Sequence, residues 1–262
     1  MRGWFGAVLT LALTVALVFL TLPIVAIFAQ QAPGDLLSAL GEDGALDALS
    51  LSLRTTAAAL TLILVFGTPA AYLLATRRFR GRAGLITLIE LPLVLPPAVA
   101  GIALLAAVGP STALGRAAQD AGLQLTLATA GVVVALTFVA APFYVRQAIA
   151  AFEAVDPTLL DASRTLGASP ARTFARVAIP TALPGLAAGT ALALGRALGE
   201  FGATLMFAGS FQGVTQTVPL AIYDRFATDF TSALALSAVL VAVSAAILLS
   251  VKLVRGPDAV AR

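Results

Sequence analysis

Two ionisable side chains stand inside an apolar stretch, where charge is expensive. The segment RALGEFGATLMFAG places Arg196 and Glu200 four residues apart, on one face of a helix. Each would cost roughly 2.5–3.5 kcal/mol at the centre of a bilayer on the insertion scale. They must therefore face protein or a polar passage, and they can pair with each other. One chemistry is electrostatic: Arg196 supplies positive potential to a gate that an anion crosses, with Thr204 one turn further on. The other is structural, an ion pair locking this helix against a neighbour. Gly195, Gly199 and Gly202 add a small-residue face suited to close packing.

Little other chemistry is available. The sequence has no cysteine and no histidine, which removes thiol nucleophiles, disulfides and the commonest metal ligand and general base. Its one lysine, Lys252, has no glycine-rich loop before it, so a Walker A phosphate cradle is absent. ATP hydrolysis would have to come from another chain.

A second stretch, residues 152–180, is polar where its surroundings are apolar. Asp156-Pro157 reads as an N-cap with proline at the first helical position, opening a short helix through Leu166. Gly167 then supplies the left-handed residue that a helix C-terminus commonly needs. Ser169-Pro170 repeats the cap signal for a second short helix, Ala171 to Ala178, which Pro180 is expected to end or kink. The spacing predicts a helical elbow with a glycine corner.

The elements that must position these residues follow from composition. Apolar residues make up 60% of the 262 and charged ones 11%, and mean hydropathy is +0.99. Typical soluble domains run at roughly 45–50% and 25%. The expected fold is an all-α membrane protein with six spans, near 5–28, 49–75, 84–108, 125–144, 182–208 and 232–254, in one transmembrane domain. The first apolar run exceeds the 7–15 residues of a signal-peptide core and lacks a cleavage site, so it is read as a retained helix. Arg54 lies near the outer end of the second span, where it can snorkel. In LPLVLPPAVAG, Pro92, Pro96 and Pro97 each lack a backbone donor, and the paired prolines must break or bend the third span, which suits a helix beside a passage. Glu90 sits just inside that span, interfacial or pathway-adjacent. The loop 210–231 is partly apolar and can fold back on the membrane edge.

Charge orients the bundle. With both termini in the cytoplasm, the inner side carries Arg2, Arg77, Arg78, Arg80, Arg82, Arg146, Arg164, Arg172, Arg176, Lys252, Arg255 and Arg262, twelve of the sixteen basic residues. The first outer loop has acids only (Asp35, Glu42, Asp43, Asp47). Every loop satisfies the positive-inside rule, and the elbow falls on the side where ATP is. The arginine cluster at 77–82 is read as a topology signal, not a nucleic-acid site.

Position by position, the elbow resembles the EAA loop of ATP-binding-cassette importer permeases. Asp161-Ala162-Ser163 stands for Glu-Ala-Ala, with Gly167 four residues on, then Val177 and Ile179-Pro180 for Ile and Leu-Pro. LPLVLPPAVAG, RTLGASPARTFARVAIP, RALGEFGATLMFAG and TQTVPLAIY together resemble the permease subunits of molybdate importers. Sulfate and thiosulfate permeases share the Gly-Glu-Phe-Gly core but usually continue with Val-Val-Phe-Ile-Ala-Gly, against Ala203 to Gly209 here. The resemblance implies a coupling elbow in which Asp156, Leu159, Asp161, Ala162, Ser163, Leu166, Gly167 and Ala168 dock on a separate ATPase. It implies a translocation path or gate drawn from Arg196, Glu200, Thr204, Pro96 and Pro97. The implied assembly has two permease chains, two ATPases that use ATP and magnesium, and an extracytoplasmic oxyanion-binding protein, in a bacterial or archaeal inner membrane. No cofactor or metal on this chain is implied. An ATP-independent secondary anion transporter would share the hydropathy but would not need the capped elbow.

Overall fold

The computed structural model describes residues 3–31, 34, 38, 40–41 and 44–253. Arg2, Asp35, Glu42, Asp43, Arg255 and Arg262 lie outside these residues, as does the side chain of Lys252. Eleven helices carry the argument: α1 Gly3–Ala29, α2 Ala45–Thr76, α3 Arg82–Val94, α4 Pro97–Val108, α5 Ala113–Asp120, α6 Thr129–Glu153, α7 Pro157–Thr165, α8 Pro170–Leu198, α9 Gly202–Ala208, α10 Val218–Phe226 and α11 Phe230–Leu253. No strand occurs among the described residues.

Five helices (α1, α2, α6, α8 and α11) are long and apolar enough to cross a membrane unbroken. The expected third span is a broken pair: α3 and α4 meet at Leu95-Pro96 with their axes bent by 119°. Pro96 and Pro97 lack backbone donors, and the residue before each is pushed to extended backbone. Leu95 accordingly has ψ 131° and Pro96 ψ 140°. At 1.5 Å per residue, each half is about 20 Å long, too short for a ~30 Å hydrocarbon core by itself.

The core lies on α6, against α2 on one side and α8 on the other. Tyr144 on α6 is among the largest fully buried side chains, and its hydroxyl meets Thr68 Oγ1 of α2 at 2.6 Å. Antiparallel to α6 runs α3, held by two ion pairs of reversed polarity. Arg82 pairs with Glu153, and eight residues along α3 Glu90 pairs with Arg146 at 3.5 Å. These partly exposed pairs are worth little in energy but fix the register, since a shift would set like charges together. They also settle where Glu90 points; α6 itself continues as helix to Glu153, past its expected end at 144.

Of the two outcomes left open at Pro180 one is excluded, and the bound of the fifth span is corrected. The elbow's second helix does not stop at Pro180. It runs from Pro170 to Leu198, widening into a π turn over Phe174–Ala178, where the Ile179 amide donates to the Phe174 carbonyl five residues back. A regular turn would drive the Arg176 carbonyl into the Pro180 ring; the wide turn removes that conflict, so the helix passes its proline. Nor does the fifth span run to 208. It ends at Leu198, and Gly199 to Phe201 form a corner before α9. The segment 210–231 does fold back: α10 buries Val218, Leu220 and Ala221, and the Val218 amide donates to Ser52 Oγ on α2 at 2.8 Å.

Candidate functional site: the elbow and the broken corner

The elbow forms as its caps dictate. The Asp156 side chain accepts from the Thr158 amide at 2.9 Å, opening α7, and Ser169 Oγ accepts from the Arg172 amide at 3.3 Å, opening α8. Between them Gly167 turns the chain at φ +81°, a left-handed conformation that glycine adopts without steric cost. Nothing lies within 4 Å of where its Cβ would be, so glycine is required there by backbone conformation and not by space.

This geometry sorts the elbow into two faces. Leu160 is buried beside Phe152 and Val155, anchoring α7 to the core. Below it Tyr72 of α2, Phe152 of α6 and Phe174 of α8 form a three-ring cluster, with centroids 4.7 Å apart for Tyr72–Phe174 and 5.3 Å for Tyr72–Phe152. Sequence reasoning missed this cluster; nothing in the spacing of three distant aromatics announces it. Ser163 Oγ meets Thr173 Oγ1 at 3.0 Å, tying α7 to the start of α8. On the opposite face Leu159, Asp161, Ala162, Leu166 and Gly167 are exposed, and Ala168 is half-buried. Leu166 is 88% exposed at the apex, an apolar side chain that makes almost no contact within its own chain. The Arg164 guanidinium pairs with Asp161 at 3.0 Å on this surface.

The hydrogen bond from the Thr158 backbone holds the Asp156 carboxyl below the usual carboxylate range. A depressed native pKa means the cap contributes at neutral pH and is lost as pH falls through that lowered value. The expected result is a smaller protection factor for the Thr158 amide, with the intrinsic pH dependence of exchange divided out, both on acidification and, at neutral pH, in Asp156→Ala. A protection factor indifferent to either change would remove the cap from the account.

The corner after α8 is built around Glu200, which is 1% exposed. Its Oε1 accepts from the Ala203 amide at 2.7 Å, capping α9, and its Oε2 lies 2.6 Å from Arg196 Nη2. The second approach is an ion pair by distance more than a directed hydrogen bond. One carboxylate thus joins the end of α8 to the start of α9, while the Arg196 side chain remains partly exposed at 27%. Phe201 packs on Tyr223 of α10 with centroids 4.9 Å apart. Pro97 closes the corner from α4: a Cβ on Gly202 would lie 2.6 Å from Pro97 Cβ. The prolines and the Gly-Glu-Phe-Gly motif are therefore neighbours in space, about a hundred residues apart in sequence.

Not every residue expected here sits where a passage would need it. Thr204 is fully buried and its hydroxyl has no hydrogen-bond partner among the described residues, so it faces protein in this conformation. Of the three glycines expected to form a packing face, only Gly202 is held tightly; Gly195 has open space around it. Pro96 and Pro97 are exposed.

Comparison with known proteins shows the family and the fold. A ModB molybdenum transport system permease of Mycobacterium tuberculosis is 43% identical over 235 residues, 90% of this chain and 89% of that protein. A probable molybdenum ABC transporter permease of Haloferax volcanii is 39% identical over 95% of this chain and 89% of its own. Among solved structures, a bacterial ABC transporter involved in alginate import shares the fold at TM-score 0.73 and 19% identity, covering 96% of this chain and 94% of that one. The methionine transporter MetNI, inward-facing, shares it at TM-score 0.60 and 20% identity over 80% of this chain and 92% of its own. Residues 63–255, which include the elbow and the corner, match the family of binding-protein-dependent transport system inner membrane components, and the chain belongs to that family.

Proposed function

We propose that this chain is the membrane-spanning subunit of an importer that carries molybdate or tungstate into the cytoplasm by alternating access. The observation that carries the reading is the elbow: two capped helices, a left-handed glycine, and an apolar apex at Leu166 left uncovered by its own chain. That surface suits a groove on a separate ATPase, which would bind ATP and magnesium. A push on the apex would reach Leu160 and the Tyr72–Phe152–Phe174 cluster, and through them α2, α6 and α8 together. The full assembly in this reading has two copies of this chain, two ATPases and an extracytoplasmic binding protein. In this reading the elbow end and both termini are cytoplasmic, which the excess of positive charge at the elbow end supports.

The oxyanion is assigned by similarity to permeases named for molybdenum over nine-tenths of the chain. Sulfate or thiosulfate is the alternative within the family. Uptake by cells lacking their own molybdate permease, complemented with this chain and its partner subunits, decides between them. Molybdate uptake that survives a large excess of sulfate supports the reading, and uptake abolished by sulfate moves the chain to the other branch.

Arg196 is the residue assigned to the passing anion, with Glu200 as its anchor. The double variant Arg196→Gln with Glu200→Gln removes both charges yet leaves an oxygen to cap α9. It is expected to assemble normally and to lose most anion uptake. Uptake at the parental rate would make the pair a structural lock only.

A further inference from the structure

We propose that a hollow beside the elbow receives an acidic segment of the partner ATPase, with Arg78 taking its carboxylate. The inference rests on the reading of the elbow as the ATPase-docking element, and it extends the docked surface from α7 to the loop between α2 and α3. The hollow, of about 670 Å³, lies where the end of α2, the start of α3, the end of α6 and α7 meet. Phe152, Val155 and Leu160 give it a buried, apolar floor. Its charged lining sets three positive groups, Arg78, Arg82 and Arg164, against two negative ones, Glu153 and Asp161.

The pairing within the hollow identifies the surplus charge. Arg82 donates to Glu153 and to the Leu74 carbonyl, and Arg164 pairs with Asp161 at 3.0 Å. The exposed Arg78 guanidinium makes no ion pair or hydrogen bond among the described residues. Arg77 and Arg80, its neighbours in the loop, do not line the hollow. An arginine presents a planar fork of donors that matches a carboxylate two bonds at a time. Both local carboxylates are already engaged, so the complementary acid comes from another molecule.

Continuity and size say which molecule. Asp161 and Arg164 belong both to the hollow and to the exposed surface of the elbow, so a protein docked on that surface stands at the hollow's rim. The volume falls inside the roughly 300–1,000 Å³ of sites that take a drug-sized molecule, far more than one small anion fills. A stretch of polypeptide bearing an Asp or Glu meets both the apolar floor and the spare arginine, whereas a bare anion meets only the charge. Complementary charge placed this way fixes the register of an interface.

The test uses the assembled permease–ATPase complex and a water-soluble carbodiimide, which joins an amine to a carboxylate with no spacer. The chain's one lysine is Lys252, so Arg78→Lys adds a single reactive side-chain amine. A permease–ATPase adduct is expected, mapped by mass spectrometry to one Asp or Glu of the ATPase and in clear excess over the adduct from Arg80→Lys. Charge reversal in Arg78→Glu should lower retention of the ATPase on purification by about tenfold, and lysine in place of the mapped ATPase acid should restore it. No ATPase adduct from Arg78→Lys, an equal yield from Arg80→Lys, or an adduct that closes only within the chain on Glu153 or Asp161 would overturn the proposal. A separate chain with benzoylphenylalanine in place of Leu166 tells this failure from failure of the docking reading. ATPase captured from the apex but not through Arg78→Lys sinks the hollow alone, while capture from neither removes the elbow from docking as well.

Discussion

Gly167→Val is expected to abolish ATP-driven uptake, by more than tenfold, while the protein still inserts and accumulates. At φ +81° a β-branched side chain meets its own backbone, at a cost on the order of 1–2 kcal/mol. The open space around the position means no neighbour is displaced, so the strain is relieved by turning the corner itself. Leu166 and α7 then move relative to α8, and the apex no longer presents the same surface. Asn, which tolerates the left-handed region better than other residues, should restore a good part of uptake. ATPase activity of the complex separates two forms of failure: hydrolysis without uptake means uncoupling, and loss of the ATPase on purification means undocking. Normal coupled uptake in Gly167→Val would remove the elbow from the coupling role.

A second large effect is expected at Glu200, on the amount of folded protein. Glu200→Ala leaves the Arg196 guanidinium without its partner and the Ala203 amide without its cap, in a site that is 1% exposed on the glutamate side. Removing one member of a buried pair costs about 3–5 kcal/mol, and the partial exposure of Arg196 lowers this toward about 2–4. A loss of that size reduces abundance several-fold. Glu200→Gln keeps an acceptor for Ala203 and should sit much nearer the parental level. Gel quantification of membrane-inserted protein reads both variants. Equal abundance of Glu200→Ala and the parent would contradict the corner described here.

The parts legible in the sequence were those fixed by local chemistry. Asp156-Pro157, Gly167 and Ser169-Pro170 each form the cap or corner that their residue types dictate, because a cap needs only its own few neighbours. The proline pair at 96–97 broke its helix for the same reason, although its 119° bend depends on where α4 finds a surface to pack. Pro180 shows the limit of such rules. A proline's cost can be absorbed by a widened turn just before it, and no residue pattern marks a π turn in advance. The corner at Gly199–Phe201 was hidden because residues 182–208 are long and apolar enough to read as one span despite Arg196 and Glu200; it becomes visible only when Glu200 is seen capping α9 and Gly202 lying on Pro97. Glu90 was open between an interfacial and a pathway-adjacent place, and its pairing with Arg146 follows from the antiparallel register of α3 and α6. The aromatic cluster under the elbow joins three helices, so it is a property of the tertiary fold alone.

The most direct measurement is oxyanion uptake into proteoliposomes holding this chain, its ATPase and the extracytoplasmic binding protein. Labelled molybdate is supplied outside, with ATP and magnesium present or absent inside. The account predicts uptake that requires both ATP and the binding protein, and that disappears with Gly167→Val. Uptake proceeding equally well without ATP would contradict it and make the chain an anion carrier in its own right.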